Sequence, residues 1–454
     1  MRVLWAAVAA YAAGFGTLAA LEHRAFETGR FDLGNMTQAV WSTAHGHPLE
    51  ITDLSGGEIN RLGAHVDPLL AAFAPLWWLW PSPTMLVVVQ AVALALGAVP
   101  VFWLARKHLR SDRFATLFGV AYLVYPPVEW LALDEFHPVA IACPLLLYAV
   151  WYLDEDRPLA ALPFLGLAAL TKEEVPLVVA GIGVWYAIAR GRRLVGGALA
   201  VGGLALTAVS LTLVMPHFRG GAAPEFYERY DAVGGSLGGI VRTAVTDPLT
   251  LIRAVTEGRD IAYLLQLGLP LAGMFLAAPL LLVAALPELG ANLLSDVPTQ
   301  TSIEFHYTAP IIPFLVAATV FGVARFPRLA PLPLAAAVIG AVVVGPLWAR
   351  ELVPDRRSEH DRVAARALDL IPPAAAVSST NGLGAHLSAR RRVFSFPVIR
   401  DAEWVAVDLR RASYLDRRSS ASTAAVPLAG LLLSGAWTKI LDEDGVIVLQ
   451  RSRP

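Results

Sequence analysis

Five polar stretches interrupt the apolar runs of this chain, and each carries groups able to move a proton or hold an anion. They are Arg30-Phe31-Asp32-Leu33-Gly34-Asn35-Met36-Thr37-Gln38-Ala39-Val40-Trp41, His65-Val66-Asp67-Pro68, Asp134-Glu135-Phe136-His137-Pro138, Lys172-Glu173-Glu174 and Glu304-Phe305-His306-Tyr307. A carboxylate placed this way can serve as a general base, and a lysine or histidine nearby can stabilise developing negative charge. Ionisable groups between apolar segments are expensive at membrane depth, so they tend to face a cavity or mark a functional route. Each cluster also has a plainer account. Asp32 can be a solvated connector acid, Glu135 and His137 a short solvated loop, and Lys172 with Glu173 a local ion pair.

The first stretch directly follows the first long apolar run. Met36, Val40 and Trp41 fall about a helical turn apart and can share one apolar face, with Asn35, Thr37 and Gln38 turned to water. Such a segment would lie along a membrane surface and hold Asp32 at the mouth of whatever the other helices enclose.

The composition explains why a membrane is in question. The chain has 454 residues, 56% hydrophobic and only 16% charged, with a mean hydropathy of +0.56. Soluble domains carry about 25% charged residues, so this is the composition of a polytopic membrane protein. A net charge of −1 offers no basic surplus for nucleic acid. The single cysteine, Cys143, sits in an apolar run, excludes an intrachain disulfide and reads as packing. The N-terminal run after Arg2 lacks a small-x-small cleavage site and reads as an uncleaved anchor.

Candidate spans are 3–21, 84–105, 114–132, 138–153, 159–171, 175–189, 194–215, 261–277, 279–294, 308–324 and 331–349, about eleven in all. The run 66–80 is short, rich in tryptophan and contains Pro75, so it is expected to lie at the interface. With the N-terminus in the cytoplasm, the loops at 106–113, 154–157, 190–193 and 325–328 fall inside, and three of these four are basic, as the positive-inside rule requires. All five polar clusters then fall on the extracytoplasmic side, which makes the plainer accounts harder to sustain.

The outer segment 216–260 interleaves aromatic and charged residues, as in Glu225-Phe226-Tyr227-Glu228-Arg229-Tyr230, before glycines from Gly234 to Gly239. The glycines read as a flexible loop, because the lysine and serine of a phosphate-binding loop are missing. The segment can cover a substrate site or lie at the interface on its aromatic anchors. Beyond Glu351 the chain turns charged and arginine-rich. Expected elements are a helix at 358–371, strands at 374–378, 392–395, 404–408, 438–441 and 446–449, and helices near 382–388 and 422–434, with Asp444-Gly445 turning the last hairpin. This predicts a membrane domain over 1–350 and a small extracytoplasmic α/β domain over 351–454. Gly382-Leu383-Gly384 has no third glycine and does not make a dinucleotide site.

Phe31-Asp32-Leu33-Gly34 with Gln38-Ala39-Val40-Trp41, His65-Val66-Asp67-Pro68, Glu135-Phe136-His137-Pro138, Lys172-Glu173-Glu174 and His306-Tyr307-Thr308-Ala309-Pro310 together resemble the bacterial membrane-protein family DUF2079, a domain of unknown function. That family is similar in layout to the GT-C superfamily of glycosyltransferases, which use lipid-phosphate sugars. The resemblance implies an all-α polytopic membrane domain with interfacial helices in the first outer loop and a soluble C-terminal domain. It also implies a plasma-membrane enzyme that transfers a hexosyl or pentosyl group, with inversion, from a polyprenyl-phosphate donor to a cell-envelope glycan, lipid or protein. One departure is that the first-loop motif carries a single acid, not an acidic pair.

Such a transfer requires a base for the acceptor hydroxyl and cations or donors for the departing phosphate. On this resemblance Asp32 is the candidate base, with Glu135 as a second catalytic carboxylate. Lys172, His65 and His306 are candidates for the phosphate, while Asp67, His137, Glu173, Glu174, Glu304 and Tyr307 would orient the acceptor or support these groups. A divalent cation among Asp32, Asp67, Glu135 and His137 is compatible with the residue types, although no ligand spacing requires one. A transporter or lipid flippase would also place ionisable groups in a bundle, but it tends to show two related halves and midplane sites, and this chain shows neither. A scaffold working through residues 351–454 would leave the embedded clusters without a purpose.

Overall fold

The computed structural model describes residues 1–220, 225–349, 357–413, 415–416 and 425–452. The chain opens with α1 (Arg2–Arg24), a π-helical turn (Arg30–Gly34) and α2 (Asn35–Ala44). A hairpin of β1 (Glu50–Thr52) and β2 (Glu58–Asn60) follows, then a 3-10 stretch (Pro68–Phe73) and α3 (Ala74–Leu79). Next come α4 (Pro83–Leu96), α5 (Ala98–Leu109), α6 (Asp112–Leu123), α7 (Pro126–Leu133), α8 (Pro138–Asp154), α9 (Pro158–Ala169) and α10 (Val175–Ala189). Pro83, Pro126, Pro138 and Pro158 each open a helix, where no N–H is needed and φ is already set.

The second half of the bundle starts with α11 (Arg193–Val209), which runs through a π-turn into α12 (Met215–Phe218). After it come α13 (Leu237–Thr246), α14 (Pro248–Ala254), α15 (Gly258–Gly268), α16 (Leu286–Leu293), α17 (Ile312–Arg325), α18 (Leu332–Val344) and α19 (Pro346–Ala349). One apolar core joins Leu4 and Phe15 of α1 to Leu86 and Leu94 of α4, Leu146 of α8 and Phe314 of α17.

Among the described residues four helical stretches are long and apolar enough for a simple crossing: Arg2–Arg24, Pro83–Leu109, Arg193–Phe218 and Pro327–Val344. The α6–α7 pair makes a fifth, bent by 45° where Pro126 and Pro127 interrupt the expected straight span 114–132. The stretches 138–153, 159–171, 175–189 and 308–324 contain shorter apolar helices. The expected spans 261–277 and 279–294 are not single helices. After Gly268 the chain passes through three 3-10 turns before α16, because Pro270 and Pro279 remove backbone donors and Ala272 and Gly273 adopt left-handed φ.

The loops at 106–113, 154–157, 190–193 and 325–328 gather at one end of the bundle. There Asp154 receives Lys107 at 2.7 Å and His108 at 2.9 Å, Asp156 pairs with Arg192, and His108, Asp154, Arg190 and Arg325 line one cavity. The polar clusters lie with the C-terminal sheet at the other end.

That sheet has the order β4-β3-β5-β7-β6, with β3 (Val377–Ser379), β4 (Val393–Ser395), β5 (Trp404–Asp408), β6 (Trp437–Glu443) and β7 (Val446–Arg451). β3 pairs in parallel with β4 and β5, and β7 runs antiparallel to β5 and β6. α20 (Glu359–Asp369) begins with a capping box between Ser358 and Asp361, and α21 (Asn381–His386) follows β3. Asp444 and Gly445 turn the last hairpin with φ of 49° and 82°, as an Asp-Gly pair in a tight turn should. Residues 417–424, which include the start of the expected helix 422–434, lie outside the described residues, and the helix is seen from Ala425 to Leu433.

Two expectations for the loops at this end fail. Thr37 and Gln38 are buried and do not face water: Gln38 Nε2 donates to the carbonyls of Arg390 at 3.2 Å and Arg391 at 2.8 Å, while its Oε1 accepts from Thr52 N. The C-terminal domain covers the side of α2 that composition assigned to solvent. The glycine stretch 234–239 does not form an open loop. Gly234 and Gly239 touch backbone to backbone, with Gly234 at φ +121°, and α13 begins at Leu237.

Candidate functional site

Asp32 sits on the π-helical turn, and that turn is clamped from two sides. From the bundle, Glu135 accepts the backbone N–H of Gly29 at 2.8 Å and of Leu33 at 2.7 Å, one on each carboxylate oxygen. Glu135 itself has φ +48°, the cost of a short loop between α7 and α8. Gln90 of α4 steadies that loop: its Nε2 donates to the carbonyls of Leu131 and Glu135, and its Oε1 accepts from His137 N. From the C-terminal domain, Asn381 Oδ1 accepts the N–H of Phe31 at 3.0 Å. The buried guanidinium of Arg30 donates to the carbonyls of Val393 and Thr52 and to Ser395 Oγ. Gly29 and Gly34 pass so close to Asn381 and Ser388 that a side chain at either position would collide with them.

The Asp32 carboxylate is left accessible, 39% exposed, against 7% for its neighbour His137. His137 Nε2 lies 3.4 Å from Asp32 Oδ1, and its Nδ1 lies 2.9 Å from the Asp134 carbonyl. The rings of His137 and His306 stack at 3.6 Å and 15°. Asp134 Oδ2 accepts the His306 backbone N–H at 2.7 Å and meets His306 Nδ1 at 3.0 Å. Burial disfavours the charged His137 ring, but Asp134, Asp32 and Glu135 outweigh it and lift its pKa to about 9. His306 moves the other way, because burial and the neighbouring His137 cation hold it well below the usual histidine value. Burial and Asp32 push the Glu135 carboxyl up, against the pull of its two backbone donors.

Asp134, His137 and His306 bring ligand-type atoms within 4.8 Å of one another. Their arrangement does not suit a divalent ion. Ring nitrogens bind metals along the ring plane, and these two rings lie nearly parallel and stacked, so their lone pairs do not converge on one point. The four residues considered for a cation from the sequence do not assemble either, since Asp67 is committed elsewhere. Arg61 holds it from Nε at 2.8 Å and Nη2 at 2.7 Å, both residues being buried.

A second group continues the line. The rings of His306 and Tyr307 lie 4.3 Å apart, and Lys172 Nζ sits 5.5 Å from the Tyr307 ring centre. Lys172 pairs with Glu174 at 2.6 Å, while Glu173 meets His65 Nδ1 at 2.8 Å and accepts Val66 N at 2.9 Å. Burial opposes the Lys172 charge, yet Glu174, Glu173 and Glu288 raise its pKa. Burial likewise opposes the Glu173 carboxylate, but His65 and Lys172 bring it down to about 2. A cavity of about 110 Å³ opens here, lined by His65, Lys172, Glu174, Arg229, Glu288 and Tyr307 on its polar side and by Leu177 and Leu211 on its apolar side.

The sequence candidates therefore separate. Asp32, Glu135, His137 and His306 form one linked group, and His65, Lys172, Glu173, Glu174 and Tyr307 form a second, joined to the first through the His306–Tyr307 contact. Asp67 lies beside the second group, within reach of His65 and Glu173, but is held by Arg61 and does not line the cavity, and Glu304 is exposed. Sequence reasoning missed Asp134, Gln90, Arg229 and Glu288 as members. Gln90 and Glu288 carried the usable signal of a polar residue inside an apolar run. Arg229 is brought in only by the path of the 225–233 segment.

The fold is a helical bundle whose first loop holds an acid beneath a small α/β unit. The chain belongs to the family described as "Predicted membrane protein (DUF2079)", whose profile matches residues 22–448, and it is a multi-pass membrane protein. Its fold is similar to that of ArnT from Cupriavidus metallidurans, solved bound to undecaprenyl phosphate. The TM-score is 0.51 at 13% identity, over 97% of each chain. The Archaeoglobus fulgidus oligosaccharyltransferase in its apo form aligns with a TM-score of 0.41 at 13% identity, over 98% of this chain and 75% of that one. No protein of curated function matches the chain.

Proposed function

We propose that the protein is a glycosyltransferase that moves a sugar from a polyprenyl-phosphate donor to a hydroxyl of an extracytoplasmic cell-envelope acceptor. The observation that carries this reading is the accessible Asp32 carboxylate, fixed on a turn held by Glu135 and linked through His137, His306 and Tyr307 to the Lys172 cavity. The shared fold with ArnT, a protein solved with undecaprenyl phosphate, supports a lipid-phosphate donor.

In this mechanism the acceptor hydroxyl attacks the anomeric carbon while the bond from that carbon to the phosphate oxygen breaks. Asp32 takes the hydroxyl proton, the polyprenyl phosphate leaves, and the configuration inverts. Lys172 and Arg229 face the phosphate, and Leu177 and Leu211 of the neighbouring helices receive the start of the lipid chain. His137 orients Asp32. Glu135, with both oxygens occupied by backbone donors, acts as a positioning residue and not as a second base. His65, Glu173 and Glu174 set the charge and position of Lys172. The N-terminus is cytoplasmic, and residues 351–454 form the extracytoplasmic domain that closes over the Asp32 turn.

Asp32→Asn tests the assignment. It keeps the size of the side chain and removes its basic lone pair, so a folded, membrane-inserted variant that binds lipid donor should transfer sugar about 10²–10⁴-fold more slowly. Transfer at the parental rate would remove Asp32 from the chemistry.

A further inference from the structure

The consecutive helices α13 and α14, joined at Asp247, expose apolar residues that no other described residue covers. Val241 and Val245 of α13 are 58% and 79% exposed, and Leu249 and Ile252 of α14 are 50% and 56% exposed. On α13 the apolar residues recur as Ile240, Val241, Ala244 and Val245, the spacing of one helix face, while Thr243 and Thr246 lie off it. α14 has no buried residue. In water such a face would be unfavourable in proportion to the apolar area left uncovered.

The place of the two helices in the chain says what covers them. They follow the Arg193–Phe218 helix, which is long and apolar enough to cross and is mostly unburied by protein, so the chain emerges at the membrane surface before it reaches α13. They precede α15, which re-enters the bundle at Tyr263 and Leu267. At their base the Arg229 carbonyl accepts from Asp296 N at 2.8 Å, and Arg229 and Tyr230 line the Lys172 cavity, which puts α13 and α14 at the same face as that cavity. Arg242 and Arg253 are exposed on the two helices beside the apolar residues, and their long stems can reach outward to lipid phosphates while the aliphatic residues sit deeper.

We propose that α13 and α14 dock on the lipid surface of the protein's own membrane. The aliphatic face enters the headgroup–acyl boundary, and Arg242 and Arg253 lie against phosphodiester headgroups. Because the 225–233 segment runs from the cavity wall into α13, the docked helices also set the height of the cavity mouth relative to the leaflet. The proposal does not depend on the transferase reading.

The single native cysteine, Cys143, is buried, so spin labels can be placed one at a time in a Cys143→Ala background. Full-length protein labelled at Val245→Cys or at Thr243→Cys is reconstituted in nanodiscs of phosphatidylcholine and phosphatidylglycerol. Power-saturation EPR then compares collisions with oxygen and with a water-soluble nickel chelate. The expected result is a Val245 label several-fold less accessible to nickel than the Thr243 label and more accessible to oxygen. Equal nickel access at both positions would overturn the proposal. So would dipolar broadening between Val245 labels in discs holding two copies, because it would assign the face to a second chain. If Val245→Cys fails to fold, Leu249→Cys reports on the same face.

Discussion

His137 Nε2 lies 3.4 Å from Asp32 Oδ1, joining the loop after α1 to the turn between α7 and α8, more than one hundred residues later. A face of the His137 ring is covered by His306. Asp32 is thus the open end of a line that runs through two stacked imidazole rings.

The pH dependence of stability should show this. His137 has a folded-state pKa of about 9, above its ordinary value near 6.5. The native state therefore holds a proton that the unfolded chain gives up first. The stabilisation is fully present below about 6.5 and is lost as pH rises through about 9. Thermal melts across this window should show Tm falling with pH in the parent, and His137→Gln should flatten the slope. An unchanged slope in the variant would mean that His137 is not the group responsible.

Glu135→Gln keeps one carbonyl oxygen for the turn but sets an amide NH₂ against the other backbone N–H. One of the Gly29 and Leu33 donors loses its acceptor, at about 1–3 kcal/mol. The variant should melt at a lower temperature and show a reduced transfer rate with donor affinity retained. Parental Tm and rate together would show that Glu135 does not hold the turn.

Lys172 is tested with its partner, so that Glu174 is not left as a lone carboxylate. Lys172→Met with Glu174→Gln removes both charges of the 2.6 Å pair. Polyprenyl phosphate should raise the Tm of the parent and raise that of the double variant clearly less. Equal stabilisation of both proteins would make the pair a local one with no part in phosphate binding.

Orientation can be read at two arginines. Cysteine placed at Arg192 should react with a membrane-impermeant reagent only after the membrane is opened, and cysteine at Arg391 should react in intact cells. Arg192 lies at the end where Asp154 and Asp156 gather the basic loops, and Arg391 pairs with Glu58 at the opposite end, beside the C-terminal sheet. Finding both cysteines on one side would break the assigned orientation.

What the sequence determined by itself follows from local chemistry. The apolar excess marked a membrane protein, and the polar interruptions contained most of the residues that now form the two linked groups. The C-terminal strands were legible because β-branched runs and the Asp444-Gly445 turn are short-range signals. The β1–β2 hairpin was not legible, because Glu50-Ile51-Thr52 and Glu58-Ile59-Asn60 each hold a single apolar residue between polar ones and form no apolar or β-branched run.

Only the tertiary structure decided which residue does what. Glu135 and Asp32 look alike in sequence, yet one has both oxygens occupied by backbone N–H groups and the other is open. Asp67 was drawn away by Arg61, six residues before it, whose charge gave no hint that it would be buried. Gln38 and Thr37 read as solvent-facing because helical periodicity says which residues share a face, not what lies against it. The covering came from Arg390 and Arg391, more than 350 residues away, a pairing made by chain topology and invisible to local spacing.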